Sequence, residues 1–302
     1  MLGKAPDMNR KSWINRMLLA GASALAMTVA SAEAGATTFD FTASLVSWTV
    51  PTNGVYVITA YGAQGGSGDL VAGGLGAEAG GYIPLSAGTM LAVIAGGQGA
   101  PEAGGGGSFL FNITDGSYLV AAGGGGGSGF SLNVGGPGLV TTAGGDGVVT
   151  GITVVPGGVD GIGGTGGEGG GGAGVLSGGS TGAGLGDGFG ASGVTSYGGA
   201  SEFGRPGGFG GGGGGDFGGG GGGGGFSGGG GGSFLSPLSG LADRVLLAGV
   251  NSGNGYVTID LIAPPPAVPE PSTWTMMVVG FGSLAFALWR RRANVDAGRT
   301  RF

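Results

Sequence analysis

Between Gly207 and Gly232 only Phe209, Asp216, Phe217, Phe226 and Ser227 interrupt an otherwise unbroken run of glycine. A helix is excluded there, because each interior glycine costs about 1 kcal/mol relative to alanine. A pleated strand is equally poor, since there is almost nothing to pack on its faces. Two states remain. One is a solvated, flexible coil. The other is a set of extended chains lying so close that no side chain fits between them, as at the collagen axis. The isolated phenylalanines point to the packed state, because a spacer has no use for aromatic rings.

Glycine accounts for 86 of the 302 residues, against an average usage of about 7%. No strict Gly-X-Y period runs through the chain and only 13 prolines occur, so it is not a collagen. Glycine at this density ordinarily signals disorder, yet hydrophobic residues make up 40%, more than a disordered linker carries.

The chain has no cysteine and no histidine. Disulfides, thiolate chemistry, histidine-bound zinc and a Ser-His-Asp relay are therefore excluded. Between residues 35 and 262 the only cations are Arg205 and Arg244, which face thirteen carboxylates, a net charge of −11. Such a surface repels nucleic acid and anionic lipid, and residues 35–262 hold no lysine for a phosphate loop. The many GxGxxG matches in the glycine tracts carry no information. No cofactor is expected.

Residues 1–34 have the form of a secretory signal, with Lys4, Arg10, Lys11 and Arg16 ahead of an alanine-rich apolar stretch from Met17 to Ala30. Ala32 and Ala34 end two overlapping small-residue cleavage sites. The body, 35–262, reads as all-β. Phe39, Phe41, Ala43 and Leu45 alternate with polar residues and predict a half-buried strand over Thr38–Leu45. Pro51-Thr52-Asn53-Gly54 marks a turn before a second strand, Val55–Tyr61. Similar runs are Tyr82–Leu85, Met90–Ala95, Phe109–Ile113, Tyr118–Ala122, Val148–Val155, Val245–Ala248 and Tyr256–Ile262. Short strands bounded by Gly and Asn indicate a sandwich or barrel.

GGGGSFL occurs twice, at 104–110 and at 229–235, each time ahead of an aliphatic run that exits into glycine. This predicts two equivalent strand-turn-strand units flanking a glycine-rich insert over about 123–232. Tyr61, Phe109 and Phe234 read as core. The carboxylates read as solvated turn acids. Asp146-Gly147, Asp160-Gly161 and Asp187-Gly188 lack the nonapeptide register of calcium-binding β-rolls, and no metal or catalytic residue is assigned.

The order of these pieces carries a resemblance. Trp48-Thr49-Val50-Pro51, then Tyr61-Gly62-Ala63-Gln64-Gly65-Gly66, Leu91–Gly97, GGGGSFLF with its Asp115-Gly116 turn, Leu119–Gly127, Gly207–Gly232 and Gly255–Ile259 follow one another as in bacterial glycine-rich proteins. They also resemble the glycine-rich extracellular region of the anaplastic lymphoma kinase and leukocyte tyrosine kinase receptors. The resemblance covers about residues 38–262 and implies a jelly-roll-like β-sandwich from which extended polyglycine chains project. The receptors carry cysteines and bind protein ligands. This chain has no cysteine, so ligand binding does not carry over.

Beyond Ile262 the composition changes. Residues 263–271 are proline-rich and hold the chain extended. Ser272–Trp289 is uncharged and mostly apolar, with tryptophan near each end. As a helix it spans about 27 Å, enough for one membrane crossing. Arg290, Arg291 and Arg292 then act as a stop-transfer signal, leaving 290–302 cytoplasmic. Pro269-Glu270-Pro271, the apolar helix and the arginine cluster together resemble the PEP-CTERM sorting signal, with Trp274 spaced as in its tryptophan-containing variant. The resemblance implies cleavage by an exosortase in the inner membrane of a Gram-negative bacterium, and association with extracellular polysaccharide. The expected partners are thus signal peptidase, exosortase and, transiently, the inner membrane, with extracellular polysaccharide as a further candidate. The expected function is a non-enzymatic protein of the cell surface or biofilm matrix. An adhesin or binding module is the alternative, ahead of an enzyme acting on polysaccharide.

Overall fold

In a computed structural model the described residues are 36–129, 134–149, 153–166, 169–181, 198–200, 205–215, 220–237, 244–263 and 271–299. The strands are β1 (Thr37–Asp40), β2 (Val46–Thr49), β3 (Gly54–Tyr61), β4 (Gly76–Leu85), β5 (Met90–Ile94), β6 (Ser108–Asn112), β7 (Ser117–Ala122), β8 (Gly147–Val149), β9 (Thr153–Val155), β10 (Phe234–Leu235), β11 (Val245–Asn251) and β12 (Tyr256–Ala263). One helix, α1, covers Pro271–Arg299.

Two five-stranded antiparallel sheets run in the orders β1-β12-β3-β4-β11 and β10-β7-β6-β5-β2. Alternation along β3 sends Tyr56, Ile58 and Ala60 inward, beside Val257 and Ile259 of β12. Leu91, Val93, Leu110 and Val120 of the second sheet close the same core. Tyr56 is buried with its hydroxyl donating to Thr52 O at 2.8 Å, which fixes the turn before β3.

The predicted strand over Thr38–Leu45 is shorter than its alternation implies. It ends at Asp40, and Ala43 takes a left-handed φ of 54°. The chain thereby leaves the first sheet, Phe41 joins a second apolar cluster, and β2 starts the other sheet. Val148–Val155 is not one strand but the two arms of a ribbon, β8 and β9, outside both sheets.

The repeated SFL triplets do not form two equivalent units. β6 and β7 are a hairpin within the second sheet, whereas β10 lies in the second sheet and β11 in the first. The repeat instead flanks one strand. Phe109 and Phe234 both stand opposite Ala121, and Leu110 and Leu235 both stand opposite Val120, on the two edges of β7.

The described glycine segments are ordered, and more of the chain contributes than the expected insert at 123–232. Residues 62–75 and 95–107, between strands of the sandwich, belong to the same bundle. Its centre is Gly123–Gly127. The N–H groups of Gly124, Gly125, Gly126 and Gly127 donate to the carbonyls of Gly224, Ala63, Gly136 and Gly221 at 2.7–2.9 Å. The carbonyls of Gly123, Gly124, Gly125 and Gly126 accept from Ala77, Gly231, Gly105 and Gly74. Successive residues turn to different neighbours, and Gly124 and Gly127 return to the same one. That is the three-residue period of a polyproline-II-like helix, which has no internal hydrogen bonds to offer. Lateral partners are therefore obligatory for these buried groups. A Cβ on Gly125 would lie 1.9 Å from Gly74 O, so a side chain is sterically excluded.

The phenylalanines of the glycine block have a task. Phe209 and Phe226 cover the outer face of the second sheet, against Ile94, Phe109, Ala121 and Tyr118. Phe226 also stacks on Phe234 with ring centroids 4.7 Å apart. Phe217 lies outside the described residues.

Candidate functional site

The C-terminal segment holds the residues that the sequence singles out. Pro271 is the first residue of α1, where proline fits because its fixed φ is helical and the missing N–H would have no intrahelical partner. Pro269 and Glu270 lie outside the described residues, as do Ala32 and Ala34. α1 does not stop at Trp289. It continues through Arg290, Arg291 and Arg292 to Arg299, a stretch without proline. Along α1, Met276, Val278, Val279, Phe281, Leu284, Phe286 and Trp289 are all exposed. Their apolar surface runs around the helix rather than along one stripe. Among the described residues no helix is long and apolar enough to cross a membrane. The expected crossing over 272–289 is therefore not met by them, although the element itself is helical.

Two arrangements in the body were not read from sequence. The first is Glu102, which is buried and paired with Arg205 of a distant glycine segment. The expectation of a solvated turn acid fails at this position. Glu102 sits at φ 63°, and its carbonyl accepts from Gly221 at 2.8 Å, so backbone and side chain each tie a separate segment. Arg244, the other body cation, donates to Leu235 O at 3.0 Å. Both cations are thus engaged within the body.

The second is a row across the outer face of the first sheet. Pairing sets Asp40 beside Tyr256, Tyr256 beside Tyr61, and Tyr61 beside Glu78. The neighbouring row is Thr38, Thr258 and Thr59. Tyr61 is half-buried here and belongs to this face, in contrast to the expectation that it is core, whereas Phe109 is fully buried. The rings of Tyr61 and Tyr256 stack at 4.3 Å. Burial, then the charge and hydrogen bond of Glu78, pushes the Tyr61 phenol well above its usual range. Adjacent strands lie about 4.8 Å apart, so hydroxyls and carboxylates are spaced along an acidic, aromatic strip. This chemistry suits hydrogen bonding to a polyhydroxylated ligand.

Among the described residues no group of three or more carboxylates is placed to hold a metal ion. Every buried side-chain nitrogen and oxygen among them has a hydrogen-bond partner. Asp146 accepts from Gly157 N at 3.0 Å, and Asp115 from Ser117 N at 3.0 Å, both as turn-fixing groups.

Fold and site together define a two-sheet β protein bound to a backbone-bonded glycine bundle and ending in an apolar helix with a basic end. Residues 267–292 match the PEP-CTERM protein-sorting motif. The match implies an extracellular protein that is exported, transiently anchored in the membrane and processed by an exosortase. No curated protein matches the chain.

Proposed function

We propose that the chain is a non-enzymatic structural protein of the cell surface or extracellular polysaccharide matrix of a Gram-negative bacterium. The observation that carries this reading is the glycine bundle. Its chains satisfy one another's backbone groups, and a Cβ at most of the interior glycines would run into neighbouring backbone. Such a bundle, held by its own backbone, builds a stiff body. Its jelly-roll-like character is supported by the passage of the chain between sheets at β1–β2, β2–β3, β4–β5 and β10–β11.

In this reading the apolar part of α1 occupies the inner membrane before processing, with Arg290, Arg291 and Arg292 on the cytoplasmic side. An uncharged helix that is apolar on all sides favours a lipid environment over water. Changing Pro269, Glu270 and Pro271 to alanine is expected to leave an unprocessed, membrane-retained precursor. Peptides from Trp274–Trp289 in mass spectra of the released protein would refute the sorting scheme.

A binding module is the second reading, favoured by the Asp40–Tyr256–Tyr61–Glu78 strip with its threonine row. Pull-down on the cell's own polysaccharide, repeated with Tyr61→Ala and Tyr256→Ala, separates the two. Binding lost in both variants assigns recognition to the strip, and absence of binding leaves the structural role.

A further inference from the structure

Two tyrosines on the outer face of the first sheet are placed to react with each other. Tyr61 of β3 stands directly opposite Tyr256 of β12 in an antiparallel ladder, where facing Cβ atoms lie about 4.5–5.5 Å apart. Their rings are close to parallel, with 18° between the planes and centroids 4.3 Å apart. Both residues are only half-buried. Glu78, the neighbour of Tyr61 on β4, accepts the hydrogen bond of its phenol. Among the described residues no other two tyrosine rings are in contact. Tyr118 meets Phe109, Phe111 and Phe226 edge-on, Tyr56 is buried edge-on against Trp48, and Tyr82 stands opposite Val57.

We propose that Tyr61 and Tyr256 form an oxidative cross-linking site, at which a one-electron oxidant met outside the cell joins the two rings as dityrosine. Hydrogen peroxide acting through a haem peroxidase is the class of oxidant that balances the step. Each phenol gives up one electron and one proton, the Tyr61 proton to the adjacent Glu78 carboxylate and the Tyr256 proton to water. The two phenoxyl radicals then couple through ring carbons ortho to oxygen, forming one carbon–carbon bond. The hydrogen on each coupled carbon moves to its own oxygen as the ring regains aromaticity. The pair is oxidised by two electrons, and the peroxide takes these with two protons to become two waters. The bond fastens β12 to β3 and closes a loop that holds every strand from β4 to β11. The chain has no cysteine with which a disulfide could do the same. This site requires export, which the sorting motif implies, and does not require recognition of polysaccharide.

The test is treatment of the dilute full chain in detergent with hydrogen peroxide and a haem peroxidase, followed by mass spectrometry of the intact and digested protein. Expected are dityrosine fluorescence, a monomer lighter by two hydrogens, and a cross-linked peptide that joins residues 61 and 256. Tyr61→Phe and Tyr256→Phe keep the ring and should each abolish this product, whereas Tyr82→Phe and Tyr118→Phe should leave it. Circular dichroism shows whether the variants fold, and the joined peptide from wild type is read independently of them. The cross-linked monomer should melt higher by roughly 5–15 °C, because the loop that the bond closes is long. Absence of the joined 61–256 peptide, dityrosine confined to dimers, or product undiminished in either Phe variant at these two positions would overturn the proposal. A cross-link between any other two tyrosines of the monomer in its place would do the same.

Discussion

Gly125 and Gly126 are chain neighbours in the centre of the bundle, and both are buried. A methyl group should nevertheless have opposite consequences at the two positions. At Gly125 the added Cβ would lie 1.9 Å from Gly74 O and 2.4 Å from Gly74 C. A carbon–oxygen contact needs about 3.3 Å, so the two backbones must part by about 1.4 Å. Hydrogen bonds at 2.8–2.9 Å, Gly74 N to Gly126 O and Gly125 N to Ala63 O among them, do not survive such a shift. Each buried group left unpaired costs about 1–3 kcal/mol. Counting one unpaired group for each of these two bonds, Gly125→Ala should destabilise by about 2–6 kcal/mol, a large part of a typical domain's 5–15 kcal/mol. For a body of this size that lowers Tm by roughly 5–20 °C. At Gly126 the nearest atom to the added Cβ is Gly136 N at 3.4 Å, an ordinary contact, and at Gly136 nothing lies within 4 Å. Gly126→Ala and Gly136→Ala should stay within about 1 kcal/mol of wild type, with a gain at Gly136 from a stiffer unfolded chain. Circular dichroism melts of the three variants decide the matter. Equal losses at 125 and 126, or no loss at 125, would refute close packing of the glycine chains.

Glu102→Gln keeps the shape of the side chain but removes the charge facing Arg205. Because Arg205 retains 24% side-chain exposure, the expected loss is about 1–3 kcal/mol, below the cost of breaking a fully buried pair. The denaturant midpoint reads it, and a change under 0.5 kcal/mol, as for a surface site, would show the pair to be incidental. Tyr61 and Tyr118 both have raised phenol pKa values, Tyr61 through burial and Glu78 and Tyr118 through burial alone. The neutral phenol is the form that the fold prefers, so this stability is complete below about pH 10 and declines as pH rises beyond it. Tyr61→Phe should flatten that alkaline decline, and an unchanged pH–stability curve above pH 10 would contradict the environment described for Tyr61.

Strands with side chains to alternate were legible from sequence. β3, β5, β7 and β12 lie within a residue or two of the positions that Val, Ile, Tyr and Leu mark out. The first half of β4, Gly76-Ala77-Glu78-Ala79-Gly80-Gly81, was not, because its side chains are too small to show a period, and its partners β3 and β11 define it instead. The bundle's order was legible only through its phenylalanines. Which glycine meets which carbonyl depends on segments far apart in sequence, such as Gly105 with Gly224, and glycine carries no pattern from which to read that. Glu102 looked like any loop acid for the same reason, since its partner Arg205 is 103 residues away. The basic end and the Pro-Glu-Pro motif needed no fold, because a sorting signal is read by another protein as a linear sequence.

The placement of β12 has a consequence for timing. It is the last of the described strands, yet it lies between β1 and β3, paired with Thr37–Asp40 on one side and with Val55–Tyr61 on the other. The first sheet stays open, and its core residues Val257 and Ile259 stay missing, until residue 263 has emerged from the export machinery. Only eight residue steps separate Ala263 from Pro271, at most about 29 Å of extended chain. Completion of the fold and arrival of the C-terminal segment at the bilayer are thus nearly the same event. A cut at the Pro-Glu-Pro motif falls beyond every hydrogen bond that β12 makes. Removal of the segment beyond it would therefore leave β12 and the sheet that it completes intact.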